Sequence, residues 1–257
     1  MIRLKVFLFV VISLTLNVLS AQTFTVVKIF GKITNNNVPV TAGDNLTLKE
    51  KLRFETDDSR ARVFNSNKGG LEITANNYQS NSQTNFLLPS ANVSTRGNMG
   101  SIEDIANYLT DRFLLLDEIE IKVGKKFLPM TDTSFFFLRF KYNSELVNKK
   151  LAFKGDTLIF CRSEILKIDN QPITSFDTPA VTLYYKIGQD FAMIAKFEMI
   201  MPDCNELQKE LTAIFEGIKT QPVSVKKTEA EAYLSTFYAK PEANDFENWL
   251  NNNFNFK

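Results

Sequence analysis

The sequence predicts a mainly β, α+β protein: a small N-terminal β-barrel or sandwich, followed by an antiparallel-sheet domain with one or two helices. Short runs of β-branched and aromatic residues recur between turn residues in the first part of the chain. Longer strand-like runs dominate the second part, where the most convincing helical pattern begins only after residue 202. The hydrophobic content is 44% and includes 23 phenylalanines, which suffices to fill two cores.

Residues 1–21 have the three parts of a secretory signal peptide. Arg3 and Lys5 precede an apolar run that ends at Leu19, and small residues follow before Gln22. We therefore expect cleavage before Gln22 and export to the periplasm or the extracellular medium. The alternative is an uncleaved anchor, but the run is shorter than the roughly 20 residues of a spanning helix and contains an asparagine. No later run reaches that length, so the mature chain is predicted not to span a membrane.

The first predicted domain, residues 22–75, consists of short strands separated by turn residues. The strand-like runs are 24–30, 38–40, 52–56, 61–64 and 71–73. Strands of this length and spacing are typical of a small β-barrel or sandwich.

The order of these features resembles the FecR-like β domain of periplasmic parts of bacterial signalling proteins. The resemblance is carried by Gly31, Val38-Pro39-Val40, Gly43-Asp44, residues 48–52, Phe54-Glu55-Thr56, Asp58-Ser59-Arg60-Ala61, Val63 and Gly69-Gly70-Leu71. Turn glycines and apolar residues of this kind are constrained by folding, so the resemblance implies a fold more than an activity. A FecR-type anti-sigma regulator would also carry a cytoplasmic region before a membrane helix. Here a predicted signal peptide stands before the β domain in place of those two segments. The resemblance therefore implies a module related to the FecR-like domain, and it does not imply the anti-sigma regulatory circuit.

The rest of the chain is predicted to form a linker, a second domain and a tail. Residues 76–100 are rich in Asn, Ser and Gln and are predicted to be a linker or long loop. Residues 101–221 form the second predicted domain, and residues 222–257 a helical or frayed C-terminal tail with helices near 228–238 and 244–250. Within the second domain, strands are predicted at 115–123, 134–142, 146–153, 157–160, 181–187 and 191–200. Capped helices are predicted from Ser101 and from Asp203, the latter ending near residue 218.

The charge balance gives no reason to expect nucleic acid as a partner. The chain has 30 basic and 29 acidic side chains, and removal of Arg3 and Lys5 with the signal peptide leaves it close to neutral. The basic pairs are scattered along the sequence, which is typical of solvated surface.

The residue types that most enzymes use are missing. The chain has no histidine, which excludes Ser-His and Cys-His nucleophile pairs and the commonest metal ligand. We find no nucleotide-binding loop, and we predict no metal, no cofactor and no catalytic activity. Carboxylates alone catalyse glycoside hydrolysis, and the candidates for that role are Asp117, Glu118 and Glu120. Glu118 and Glu120 share one face of a predicted strand, although an exposed acidic strand face explains them more simply.

Two further residue types leave alternatives open. Cys161 and Cys204 form a disulfide in an oxidising compartment, or they are two small buried apolar side chains. The phenylalanines, of which Phe135-Phe136-Phe137 and Phe140 lie in one strand-like run, are explained by core packing. A ligand-stacking platform would need several exposed rings in register.

Together these observations predict an exported, non-catalytic envelope protein that acts as a binding, assembly or sensing module. The expected partner is an envelope protein or a polysaccharide, bound through a β surface. The alternative is a carboxylate-dependent hydrolase of a glycan or cell-wall polymer.

Overall fold

The computed structural model describes residues 23–47, 50–65, 68–79, 101–124 and 128–256. The chain forms two compact units, Met1–Thr84 and Asn85–Lys257. The predicted fold class is confirmed, because the described residues form several antiparallel sheets and a few helices. The signal peptide and nearly all of the predicted linker lie outside the described residues.

The first unit contains seven described strands and one short helix. They are β1 (Thr23–Phe30), β2 (Ile33–Asn35), β3 (Val38–Pro39), β4 (Asn45–Thr47), β5 (Leu52–Phe54), β6 (Arg60–Asn65), β7 (Gly69–Thr74) and α1 (Ala75–Gln79). The strands pair antiparallel in two sheets, with the orders β4-β1-β6-β7 and β3-β2-β5. Among the described residues both sheets are open, so this unit is not a closed barrel.

Burial along the central strands follows a period of 2 except at a bulge after Val26, where Val27 is also buried, and at Phe64. Phe24 and Val26 of β1 are fully buried, as are Ala61 and Val63 of β6. β1 and β6 are neighbours, so these side chains form one apolar face. Short strands without this face would be marginally stable, and its burial stabilises the unit.

Gly31 lies in the turn after β1, where a side chain would be strained. Its φ is +72°, and a Cβ built there would lie 2.7 Å from Oγ of the buried Ser59. Ser59 Oγ also accepts the Thr56 amide at 3.2 Å, so it is held in place. We expect Gly31→Ala to lower the free energy of unfolding by about 2–3 kcal/mol, because it adds backbone strain and a clash. Scanning calorimetry of the full mature chain measures this loss.

The matched control is Gly43→Ala in the same unit. Gly43 has a φ of +95°, but no atom lies within 4 Å of a Cβ built there. This variant should lose only about 1 kcal/mol from backbone strain. Equal losses in the two variants would show that the contact with Ser59 contributes nothing.

The second unit contains ten described strands. They are β8 (Arg112–Leu114), β9 (Glu118–Lys122), β10 (Ser134–Tyr142), β11 (Glu145–Lys150), β12 (Ala152–Lys154), β13 (Thr157–Cys161), β14 (Lys167–Ile168), β15 (Gln171–Pro172), β16 (Ala180–Ile187) and β17 (Asp190–Ile200). The sheet orders are β11-β10-β16-β17-β8, β12-β13-β9 and β14-β15. Each of the six predicted ranges contains a strand, and the range 146–153 is divided between β11 and β12.

One core joins the two larger sheets of this unit. Phe136 and Leu138 of the five-stranded sheet, and Ile119 and Phe160 of the three-stranded sheet, belong to the same buried cluster. Strand pairing is antiparallel except between β17 and β8, which run parallel. The five-stranded sheet therefore packs one of its sides against this core, and its other side faces away from the core.

Two of the helices of this unit begin where the sequence predicts. α2 (Ile102–Tyr108) follows Ser101, which forms a capping box with Asp104 through bonds of 3.1 and 3.0 Å. α3 (Arg162–Ile165) was not predicted. α4 (Cys204–Gly217) follows Asp203, whose carboxylate accepts the Glu206 amide at 2.9 Å. This hydrogen bond holds the pKa of Asp203 below its ordinary value.

The C-terminal residues form α5 (Val223–Phe237) and α6 (Ala243–Phe254), both in the second unit. Both helices are longer than the sequence predicts. The ring of Phe254 packs 4.9 Å from that of Phe215 on α4, and the ring of Phe256 packs 5.2 Å from it. Of the two alternatives given for the tail, helical or frayed, the described residues are mostly helical, and they contact α4 of the second unit.

Candidate functional site

The five-stranded sheet has one side in the core and one side exposed, and strand alternation sorts the side chains between them. Along β10, Phe136, Leu138 and Phe140 are buried in the core. Phe135 and Arg139 alternate with them and are only partly buried. We call the exposed side of β10, β11, β16 and β17 the outer face.

Strand register aligns the outer-face side chains in rows across the sheet. Phe137 lies opposite Lys150 on β11 and Tyr184 on β16, and Tyr184 lies opposite Met193 on β17. A second row contains Asn148, Arg139, Thr182 and Lys196. Facing side chains in such rows are about 4.5–5.5 Å apart at Cβ, so the outer face is a continuous surface four strands wide.

Three aromatic rings form a cluster on this face. The rings of Phe137 and Tyr184 stack with centroids 5.1 Å apart. Phe191 meets them edge-on at 5.9 and 5.5 Å. Phe137 is only 6% exposed although it points away from the core, whereas Phe191 is 53% and Met193 63% exposed. Well-exposed apolar side chains beside a packed aromatic cluster are typical of a binding surface.

Arg139 crosses this aromatic cluster. Its guanidinium carbon lies 4.6 Å from the ring centroid of Tyr184, 5.3 Å from that of Phe191 and 5.8 Å from that of Phe137. Its Nε donates to Oδ1 of Asn148 at 2.7 Å. The three ring contacts and the hydrogen bond together hold the guanidinium of Arg139 in one position on the outer face.

A second cation–ring group surrounds Phe135. The ammonium of Lys150 lies 4.4 Å and that of Lys186 lies 5.6 Å from the Phe135 ring centroid. With Arg139, Lys141 and Lys196, five cations thus occupy the outer face. Two acidic groups lie on or beside it: Glu198 is on the outer face of β17, opposite Ala180, and pairs with Arg112 at 4.0 Å, and Asp132 is 3.9 Å from Lys150. The outer face therefore has a positive charge although the chain is nearly neutral.

The carboxylates predicted from the sequence lie elsewhere. Glu118 and Glu120 are exposed on β9, and the buried Ile119 and Ile121 alternate with them, so they share one face as predicted. Asp117 is exposed just before β9. Burial in an apolar pocket is one arrangement that makes a carboxyl group a general acid, and none of these three side chains is buried.

The buried carboxylate of this region is Asp245 on α6, which is 1% exposed. It accepts the amides of Leu116, Asp117 and Glu118 at 2.7, 2.8 and 2.9 Å. Burial raises the pKa of Asp245 above its ordinary value, although the three amides act in the opposite direction. Both oxygens are occupied by the backbone, so this carboxylate positions the start of β9 and does not face a ligand.

Cys161 and Cys204 are both free, partly exposed thiols. Sγ of Cys161 lies 3.3 Å from Oγ of Ser163. The neighbouring Arg162 donates to the carbonyl of Pro202 at 2.6 Å, two residues before Cys204. The two cysteines therefore lie in neighbouring segments, and the disulfide stays a prediction.

The described part of the chain has neither a cluster of metal ligands nor a membrane-spanning helix. It contains no group of three or more Cys, Asp or Glu side chains placed to hold a metal ion. None of its helices has the length and apolar character that crossing a bilayer requires.

No protein-family model matches the chain, and the comparisons with curated proteins and with solved structures found no match either. The candidate site therefore depends on geometry alone.

The sequence contained part of the signal for the outer face. Phe136 and Phe140 pack in the core of the second unit, as predicted. The condition stated for a stacking platform, several exposed rings in register, is met only in part: Phe137 and Tyr184 face each other across β10 and β16, but Phe137 is buried and Phe191 is the exposed ring of the cluster. Sequence reasoning missed Arg139, because its importance comes from neighbours on other strands.

Proposed function

We propose that the mature chain is an exported, non-catalytic envelope protein that acts as a binding, assembly or sensing module. Its contact surface is the outer face, and its partner is an envelope protein or a polysaccharide. The observation that supports this is the exposed apolar side chains of Phe191 and Met193 beside a preformed aromatic and cationic cluster. Burying such side chains against a partner removes apolar surface from water and stabilises a complex.

The geometry does not favour the hydrolase alternative. Glu118 and Glu120 lie exposed on one strand face, and the buried carboxylate of Asp245 beside them is saturated by three backbone amides. The outer face offers cations and rings, which are binding groups.

The test is capture of cross-linked partners from intact cells by the tagged chain, followed by mass spectrometry of the captured protein and glycan. We expect the double variant Phe191→Ser with Met193→Ser to recover its partner at least about tenfold less well, because exposed apolar anchors contribute strongly to binding. Both side chains are more than half exposed, so folding should be preserved, which circular dichroism checks.

The matched control is Ile102→Ser with Val223→Ser. These two apolar side chains are 40% and 41% exposed in the same unit, but they lie on α2 and α5. This control variant should recover the cross-linked partner as well as the unchanged chain does. Undiminished recovery by the Phe191 and Met193 variant would contradict the assignment of the outer face.

A further inference from the structure

We propose that the outer face binds an acidic polysaccharide, a glycan chain that carries carboxylate or sulfate groups. This inference depends on the proposed function and names the chemical class of its ligand. The charge of the face, the spacing of its cations and its side-chain types all favour such a ligand.

The charge of the face is complementary to an anionic ligand. Among the described residues, Lys150 is the one outer-face cation with an acidic partner, Asp132, at 3.9 Å. Lys141 and Lys196 are exposed, and Lys186 is partly exposed beside Phe135. Surface charges of one sign on a common face attract an oppositely charged polymer and repel a second copy of the same face. A face-to-face dimer of this chain is therefore disfavoured.

The cations are distributed as a linear polymer would need them. Four adjacent strands each place a cation on the outer face: Lys150 on β11, Arg139 on β10, Lys186 on β16 and Lys196 on β17. These cations lie in three rows, with Lys186 opposite Phe135, Lys150 opposite Phe137, and Arg139 in the same row as Lys196. Strands are about 4.8 Å apart and same-face positions about 7 Å apart along a strand, so the four cations cover an area of about 14 Å in each direction, which one polymer segment can span. Phe135 and the cluster of Phe137, Tyr184 and Phe191 lie between these cations and provide apolar contact for sugar rings.

The residue types favour a glycan over a protein partner. The centre of a protein interface is usually depleted of lysine, yet here four of the five cations are lysines and they alternate with the rings. Strand addition at the sheet edge is also disfavoured, because the edge strand β11 ends in Lys149 and Lys150.

A lipid surface fits less well. The turn between β16 and β17 is flanked by the exposed side chains of Phe191, on the outer face, and Ile187, on the other side of the sheet, and it is the end that would enter a bilayer. Gln189 in that turn and Asp190, the first residue of β17, are both exposed. A carboxylate at the point of insertion is repelled by anionic headgroups and is costly to bury in the apolar layer.

The experiment measures binding of the mature chain by affinity electrophoresis and calorimetry. The acidic probes are polygalacturonate, hyaluronate and dextran sulfate. The neutral probes are dextran and fully methyl-esterified polygalacturonate, which keeps the same backbone without the charge. We expect binding to at least one acidic probe, no binding to the neutral probes, and affinity that falls steeply as salt is added. Failure to bind any acidic probe, or equal binding to polygalacturonate and its ester, would overturn the inference.

Charge-reversal variants test whether binding occurs at the outer face. Lys186→Glu with Lys196→Glu should weaken binding by roughly tenfold, because each change removes an attraction and adds a repulsion. Lys240→Glu, an exposed lysine between α5 and α6, should leave the affinity unchanged. An equal loss in both variants would mean diffuse charge attraction only and would also overturn the inference.

Two outcomes separate this inference from the proposed function. If no acidic probe binds, but the Phe191→Ser and Met193→Ser variant still loses a cross-linked protein, the glycan inference is wrong and the binding function holds. If vesicles of phosphatidylcholine with phosphatidylglycerol bind in place of the glycans, and the lysine reversals abolish that binding, the ligand is a lipid surface and the inference is again wrong.

Discussion

Replacement of Asp245 by asparagine is expected to lower the free energy of unfolding by about 2 kcal/mol, and replacement by alanine by about 4 kcal/mol. One oxygen of Asp245 accepts two amides, those of Asp117 and Glu118, and the other accepts the Leu116 amide. Asparagine keeps one acceptor oxygen and places its NH₂ group against the third amide. Alanine leaves all three amides without this acceptor in a buried site.

The one tryptophan of the chain reports on this prediction. Trp249 lies on α6 with Asp245 and is 3% exposed, so its fluorescence changes when α6 leaves the second unit. Urea unfolding followed by this signal gives the three free energies. Asn244→Ala is the control, because its side chain is exposed beside Asp245, and it should change the free energy by less than about 0.5 kcal/mol. If the Asp245 and Asn244 variants lost the same free energy of unfolding, the stabilising role assigned to the Asp245 carboxylate would be refuted.

The upward shift of the Asp245 pKa makes the stability depend on pH, and this dependence is a second test of the same contact. Because burial raises this pKa, the folded chain binds the proton more tightly than the unfolded chain. The stability of the unchanged chain relative to Asp245→Asn should therefore rise as the pH falls from neutrality toward the ordinary Asp pKa of about 3.9. Other titrating groups are common to both proteins and cancel in the comparison. If the difference in the free energy of unfolding between the unchanged chain and Asp245→Asn shrinks as the pH falls, the three amides affect the Asp245 pKa more than burial does.

Local signals in the sequence were sufficient for most elements of the second unit. Strand alternation and cap residues act within a few positions of each other, which is why β10 begins and ends at the predicted residues and why Asp203 starts α4. The strand β8 was missed because it has three residues and depends on parallel pairing with β17. The FecR-like resemblance and the export signal stay predictions.

The contacts that define the candidate site are long-range, and the sequence could not supply them. Alternation assigns Phe137 and Arg139 to the same side of β10, but only strand order brings Tyr184 and Phe191 beside them. Asp245 lies 129 residues from Leu116 along the chain. The acidic residues that the sequence singled out are local neighbours on β9, and fold topology leaves them on an open strand face.

The second large effect is expected at Glu210 on α4. This side chain is 2% exposed, and its carboxylate accepts the hydroxyl of Tyr233 at 2.7 Å and that of Tyr238 at 2.8 Å. Tyr233 lies within α5 and Tyr238 directly follows it, so one carboxylate joins α4 to both. We expect Glu210→Ala to lower the free energy of unfolding by about 3 kcal/mol, because it leaves a cavity and removes the acceptor of two hydroxyls.

A double-mutant cycle isolates the hydrogen-bond part of this effect. Tyr238→Phe alone should cost about 1 kcal/mol, and together with Glu210→Ala the loss should be smaller than additive by a similar amount, since the bond can be removed only once. Glu231→Ala, an exposed acid on α5, should stay within about 0.5 kcal/mol of the unchanged chain. Urea unfolding followed by Trp249 fluorescence measures all four variants. Strict additivity would mean that the hydrogen bond between Glu210 and Tyr238 contributes no net stability, because no energetic coupling would then connect that carboxylate to that hydroxyl.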